Sequence, residues 1–327
     1  MSVRRVFAGL CLFVLAATCG CLSFHQGAMP GEPKNATFVE VEGARVRYLD
    51  TDPSTAEAQK TIETDDGHEA IATASKDKPT VVLVHGFASS IENWAPVIPA
   101  LSKSYRIIAM DLKGFGWTDR PEGDYSPEAQ AKIILRLMDT RGVKQAAIVA
   151  HSWGSSVAMM ALLQAPERFT RVALYDAWLY EDQLPAFFHW ARVGGVGEAL
   201  FGLYYNERPD ERMSLAFYDK KFVSERLVEE VEKALDRPGT RAAALAASRG
   251  QRYADVEARY KTMDKPTLLL WGREDAVTPI RYGERLSREL PNARMVVYPR
   301  CGHFPMIEAR DASNRDLMAF LGGKDAL

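Results

Sequence analysis

Short aliphatic runs alternate along this chain with stretches whose apolar residues recur at helical spacing. Thr80 to Val84, Arg106 to Met110, Ala146 to Ala150 and Arg171 to Tyr175 are such runs, and Thr267 to Trp271 and Arg294 to Tyr298 follow much later. Between them, Trp94, Val97, Ile98 and Leu101 keep a helical period. So do Ile133, Ile134, Leu137 and Met138, then Val157 to Leu163, and later Tyr282 to Leu290. A strand apolar on both sides must be covered on both sides, so the pattern predicts a mostly parallel sheet with helices on both faces. Phe38 to Val41 and Val46 to Leu49, joined through Glu42-Gly43, read as an antiparallel hairpin at its start. The expected fold class is therefore α/β, with an eight-stranded sheet.

The rhythm breaks twice. From 50 to 78 the chain is polar and acidic with almost no large apolar residues, which reads as a mobile surface insertion. From 177 to 256 the strands stop and amphipathic helices take over, with Leu227, Val228, Val231 and Leu235 on one face. A helical insertion after the sixth strand sits over the carboxyl ends of the sheet, where open α/β sheets bind ligands, so it is a candidate cap. The core is thus expected in two parts, 37–176 and 257–327.

The first residues obey neither pattern. Arg4 and Arg5 precede an uncharged apolar run, Val6 to Ala17, and then Thr18-Cys19-Gly20-Cys21. That run is short for a bilayer span and its basic start suits an export signal over 1–21. Its end resembles the lipobox of bacterial lipoproteins, with Cys21 as the lipidation site, although Thr18 stands where a leucine is usual. Residues 22–36 then read as a tether. The expected location is the bacterial cell envelope, lipid-anchored or periplasmic. Of four cysteines, only Cys301 falls outside the signal, so no disulfide framework holds the body. A 47% hydrophobic content suits an ordinary core, and a net charge of −2 offers no electrostatic reason to bind nucleic acid.

Ala150-His151-Ser152-Trp153-Gly154-Ser155 lies between a buried strand and a helix. A serine on a turn that sharp needs small residues two before and two after it, which Ala150 and Gly154 supply. The hydroxyl then stands above the sheet and the Trp153 N–H points toward a developing oxyanion. A serine nucleophile needs a histidine base and a carboxylate to orient it. His25 and His68 lie in polar segments, His189 in the cap and His85 in a turn, while His151 should point away from its neighbouring serine. His303, in the loop after the last strand, remains as the base. For the acid, Asp275 follows the seventh strand and Asp176 the sixth; the glycine-containing loop at Gly272 favours Asp275.

The order Ser152, Asp275, His303 resembles that of the α/β-hydrolases. The resemblance covers Phe38 to about Leu321 and is carried by His85-Gly86-Phe87, Asp111 to Gly116, Ala150 to Gly154, Gly272 to Asp275 and Gly302-His303-Phe304-Pro305. It implies that Phe87 supplies a second oxyanion N–H and that the Asp111 segment shapes the loop beside the pocket. No cofactor and no metal are implied; the expected partner is a small-molecule substrate. Capped relatives such as haloalkane dehalogenases and epoxide hydrolases use aspartate where this chain has Ser152. Serine points to carboxylic-ester hydrolysis on apolar acyl or aryl substrates. The alternatives are carbon–carbon bond hydrolases, perhydrolases and proline iminopeptidases, or a binding protein on the same scaffold.

Overall fold

The structure is a computed structural model that describes residues 22–52, 61–63, 69–71 and 78–323. The 1–21 segment with Cys21, and much of 53–77, lie outside the described residues. Eight strands form one sheet in the order β1-β2-β6-β5-β7-β8-β9-β10. β1 (Thr37–Val41) and β2 (Ala44–Asp50) are the antiparallel hairpin. β5 (Thr80–Val84), β6 (Arg106–Met110), β7 (Ala146–His151), β8 (Phe169–Tyr175), β9 (Thr267–Gly272) and β10 (Ala293–Tyr298) run parallel. β6, β7 and β9 are buried along their whole length, as continuous aliphatic runs require.

Helices cover both faces. On one side α1 (Pro127–Thr140) packs on α2 (Trp153–Gln164), and α1 opens with Ser126 accepting from the Ala129 N–H. On the same side, α8 (Arg281–Glu289) contributes Tyr282 and Leu286 to the core. On the other, Trp94, Ile98 and Leu101 join α9 (Arg310–Leu321) through Leu317 and Phe320. The chain between β8 and β9 holds α3 (Ala186–Ala191), α4 (Val196–Tyr204), α5 (Pro209–Ala216), α6 (Glu225–Leu235) and α7 (Thr240–Gly250), with no strand.

Two expectations need correction. The insertion is not featureless from residue 50: Asp50 ends β2 fully buried, bound to Arg106 at 2.6 Å and Arg141 at 3.0 Å. A two-stranded antiparallel pair, β3 (Thr61–Glu63) with β4 (Glu69–Ile71), follows within it. Nor is 22–36 a free tether. Phe24 stacks on Tyr125, His25 exchanges backbone hydrogen bonds with Arg120 at 2.9 and 2.8 Å, and Met29 is buried. Low apolar content hid a segment that is held by backbone pairing and a few contacts.

Candidate active site

Ser152 joins the end of β7 to the start of α2 with φ 51° and ψ −126°. A side chain with positive φ is strained, and three backbone hydrogen bonds over-determine it here. Its N–H donates to the Tyr175 carbonyl, and its own carbonyl accepts from Ser155 and Trp178. Small neighbours are obligatory. A Cβ on Gly154 would lie 2.3 Å from the His85 carbonyl oxygen, and one on Gly86 would lie 3.0 Å from the Ser152 Cβ. The Gly86-Phe87 turn after β5 therefore lies directly against the serine. The Trp153 N–H belongs to the first turn of α2, where no intrahelical carbonyl is available to it.

His303 and Asp275 come together across 28 positions of sequence, with Nδ1 to Oδ2 at 2.7 Å. Asp275 accepts further from the Val277 N–H at 2.7 Å, the Thr278 N–H at 2.9 Å and the Thr278 hydroxyl at 2.5 Å. Burial pushes its carboxyl upward, but the His303 charge and these donors prevail, so its pKa lies below the ordinary value. Binding Nδ1 to the acid leaves Nε2 as the proton-accepting nitrogen.

Asp176 lies in the same cluster, with a carboxylate oxygen within 4.8 Å of one on Asp275 and of a ring nitrogen of His303. Oδ1 accepts from the Gly272 N–H at 2.9 Å, whereas Oδ2 is buried with no donor. Burial, then the Asp275 charge, raises its pKa well above the ordinary value. Of the two acids considered from sequence, only Asp275 is hydrogen-bonded to the imidazole.

Two further residues belong to the site. His151 meets the base rather than the serine: its Nε2–H donates to the His303 carbonyl at 2.8 Å, and the two rings are 4.7 Å apart. Burial, then the His303 charge, holds its pKa well below the ordinary value, so it supports His303 as a neutral ring. Glu308 accepts from the Gly302, Tyr218 and Asp219 N–H groups, which ties the end of α5 to the histidine loop. His303 itself donates its N–H to the Ala216 carbonyl at 2.7 Å. Nothing in a lone glutamate downstream of His303 marks that contact, because its partners lie about ninety positions away. Of the other candidates, His85 Nε2 accepts from the Leu112 N–H at 2.9 Å. Asp111 accepts from the Ile91 and Trp117 N–H groups, and a Cβ on Gly116 would collide with it. Both hold loops.

The surroundings are aromatic. Phe87 lies 5.7 Å from both Trp153 and Phe188 and 5.1 Å from Phe115, and Phe188 lies 6.0 Å from Trp178, by ring centroids. Phe188 comes from α3, so the cap helices furnish part of this wall. Ser152 is only 7% exposed and His303 5%, which keeps water from competing with fixed donors.

The family model described as "Alpha/beta hydrolase family" matches residues 81–315. The chain belongs to the alpha/beta hydrolase family. It is 30% identical over 257 residues to the 2-hydroxy-6-oxo-2,4-heptadienoate hydrolase of Pseudomonas putida, covering 75% of this chain and 90% of that one. An uncharacterized hydrolase of Bacillus subtilis is 28% identical over 261 residues, with the same shares covered. Among solved structures, a meta-cleavage product hydrolase from Pseudomonas fluorescens superposes with a TM-score of 0.72 at 26% identity, covering 90% of this chain and all of that one. The fold of this family member, with its eight strands and inserted helices, is the one the hydrophobic rhythm predicts.

Proposed function

We propose that this hydrolase cleaves carboxylic esters of apolar acyl or aryl groups through a serine acyl-enzyme. The carrying observation is the 2.7 Å His303–Asp275 contact, with the His303 ring 4.7 Å from that of His151, whose neighbour in sequence is the strained, buried Ser152. Ser152 attacks the carbonyl carbon while His303 Nε2 takes the hydroxyl proton. Asp275 fixes the tautomer and stabilises the imidazolium, and the N–H groups of Phe87 and Trp153 receive the oxyanion. Protonated His303 then hands its proton to the leaving oxygen, and a water activated by the same ring releases the acid. The test is Ser152→Ala, which should lower turnover of a chromogenic aryl ester by ~10⁴–10⁶-fold with an unchanged melting temperature. A serine-reactive phosphonate should label the wild type alone; retained activity and labelling elsewhere would refute the assignment.

A second reading, carbon–carbon bond hydrolysis of a vinylogous diketone by the same three residues, is favoured by the relatives named above. A substrate of that kind carries a carboxylate that wants a cation. Arg192, the residue that follows α3, is held by Glu181 at 2.6 Å and by the Gln251 carbonyl. Assaying one preparation against aryl esters and a 2-hydroxy-6-oxo-dienoate separates the two readings. We further propose that the chain is exported and lipid-anchored at Cys21, on the strength of Arg4-Arg5, the Val6–Ala17 run and Gly20-Cys21. Incorporation of labelled fatty acid, lost in Cys21→Ala, is the check.

A further inference from the structure

Among the described residues, the exposed large hydrophobic side chains all fall between Trp190 and Tyr218, at 43–61% exposure. None comes from the sheet or from the helices that cover it. Single exposed leucines are ordinary on a protein surface, but confinement of all of them to one inserted region sets that region apart from the rest of the surface. Trp190 lies in the last turn of α3, Leu203 and Tyr204 end α4, and Leu215 lies in α5. The nearby cations are largely spent within the protein: Arg208 pairs with Glu211 at 3.0 Å, Lys221 with Asp219 at 2.7 Å, and Arg212 donates to the Tyr204 and Tyr205 carbonyls. The exposed aromatic and aliphatic side chains thus lie among self-paired charges such as Arg208–Glu211, without a free basic cluster to read an anionic partner.

A second observation names the occupant. The body grips its own N-terminal segment from the first described residue: Leu22 and Phe24 pack against the core, and the Gly27 N–H donates to Asp119 at 3.0 Å. No slack separates Leu22 from Cys21, its neighbour in sequence. The grip is on the loop around Asp119 to Tyr125 and reaches the cap. A Cβ on Gly239, which starts α7, would lie 2.9 Å from the His25 Cβ, and Arg241, two residues on, donates to the Gly202 carbonyl of α4 at 3.2 Å. Gly202 precedes Leu203 and Tyr204, so the attachment point and that part of the exposed apolar surface belong to neighbouring parts of one cap.

We propose that the outer surface of the cap, from Trp190 to Tyr218, docks on a phospholipid bilayer, a placement that rests on the anchoring at Cys21 proposed above. Tryptophan and tyrosine sit at the headgroup level while the aliphatic side chains enter the acyl boundary. An anchor without slack holds the cap against that surface. α3 then has two functions, with Phe188 facing the catalytic wall and Trp190 facing lipid.

Of six tryptophans only Trp190 is exposed, which makes it the probe. The full chain, expressed in a bacterium that processes lipoproteins, is reconstituted into phosphatidylcholine vesicles with brominated or ordinary acyl chains. Brominated lipid should quench the Trp190 emission roughly twofold, the depth of an interfacial side chain bringing it near the bromines. That component is absent from Trp190→Phe. Leu203→Glu with Tyr204→Glu should abolish the quenching while fatty-acid labelling and hydrolysis of a soluble ester are kept. Protein labelled at Cys21 whose Trp190 is not quenched overturns the docking and leaves the anchor standing. If Cys21 carries no label, the anchoring reading fails, and the same protein mixed with vesicles decides the docking: quenching upholds it and its absence overturns it. A dimer that shields Trp190 without lipid, and shows no quenching with it, overturns it in favour of a second copy.

Discussion

Asp275 and Asp176 follow neighbouring parallel strands, lie in one cluster and carry the same functional group, yet their surroundings make them different acids. Asp275 receives hydrogen bonds from two backbone N–H groups, a threonine hydroxyl and His303. Asp176 receives one, from Gly272, and its second oxygen is buried without a donor. Burial raises both, but only at Asp275 do the opposite charge and the donors outweigh it. Two buried carboxylates this close cannot both stay ionised at low cost, and the upward shift falls on Asp176, the one short of donors. The lesson is that the loop after each strand, more than the residue itself, decides which acid serves the histidine.

Exchanging charge for an isosteric amide separates the two most sharply. Asp275→Asn should lower turnover of a small aryl ester by ~10³–10⁴-fold while the fold is kept, because the amide favours the wrong imidazole tautomer. Burst kinetics with that ester would show acylation slowed. Were Asp176→Asn the crippled variant instead, the roles of the two loops would be reversed.

A smaller effect is expected at Asp176. An asparagine resembles a protonated carboxyl in shape and in its ability to donate, so Asp176→Asn should change turnover by about tenfold or less. The ratio of the two losses, measured side by side, is the quantity that defines the asymmetry.

The smallest effect is on stability. A carboxyl whose pKa is raised on folding stabilises the native state at low pH, and that contribution is lost as pH rises from the unfolded value through the folded one. Wild type should therefore lose stability, relative to Asp176→Asn, as pH rises above about 4. The variant should melt ~2–4 °C higher than wild type at pH 8, with the gap closing toward pH 4. A constant gap across that range would mean that Asp176 is ionised in the native state.

Much of this was legible in the linear sequence. Continuous aliphatic runs such as Val81 to Val84 and Leu268 to Trp271 can be buried only as strands covered on both faces, so periodicity specified the sheet and its eight strands. The smallness of Gly154 and the apolar flanks of Ser152 reported a turn, because the steric demand is local. What required the tertiary structure was each property that depends on partners far away in the chain. Asp275 and Asp176 are both aspartates after strands, and only the donors at Thr278 and Val277, with His303 across the loop, distinguish them. His151 supports His303 through a backbone carbonyl 152 positions distant, and Glu308 ties the cap to the site through N–H groups about ninety positions away. Leu22 to Met29 looked like a tether because backbone pairing with Arg120 leaves no mark on composition. Local sterics and burial are written into neighbouring residues, whereas electrostatics and docking are set by which distant groups the fold brings within reach.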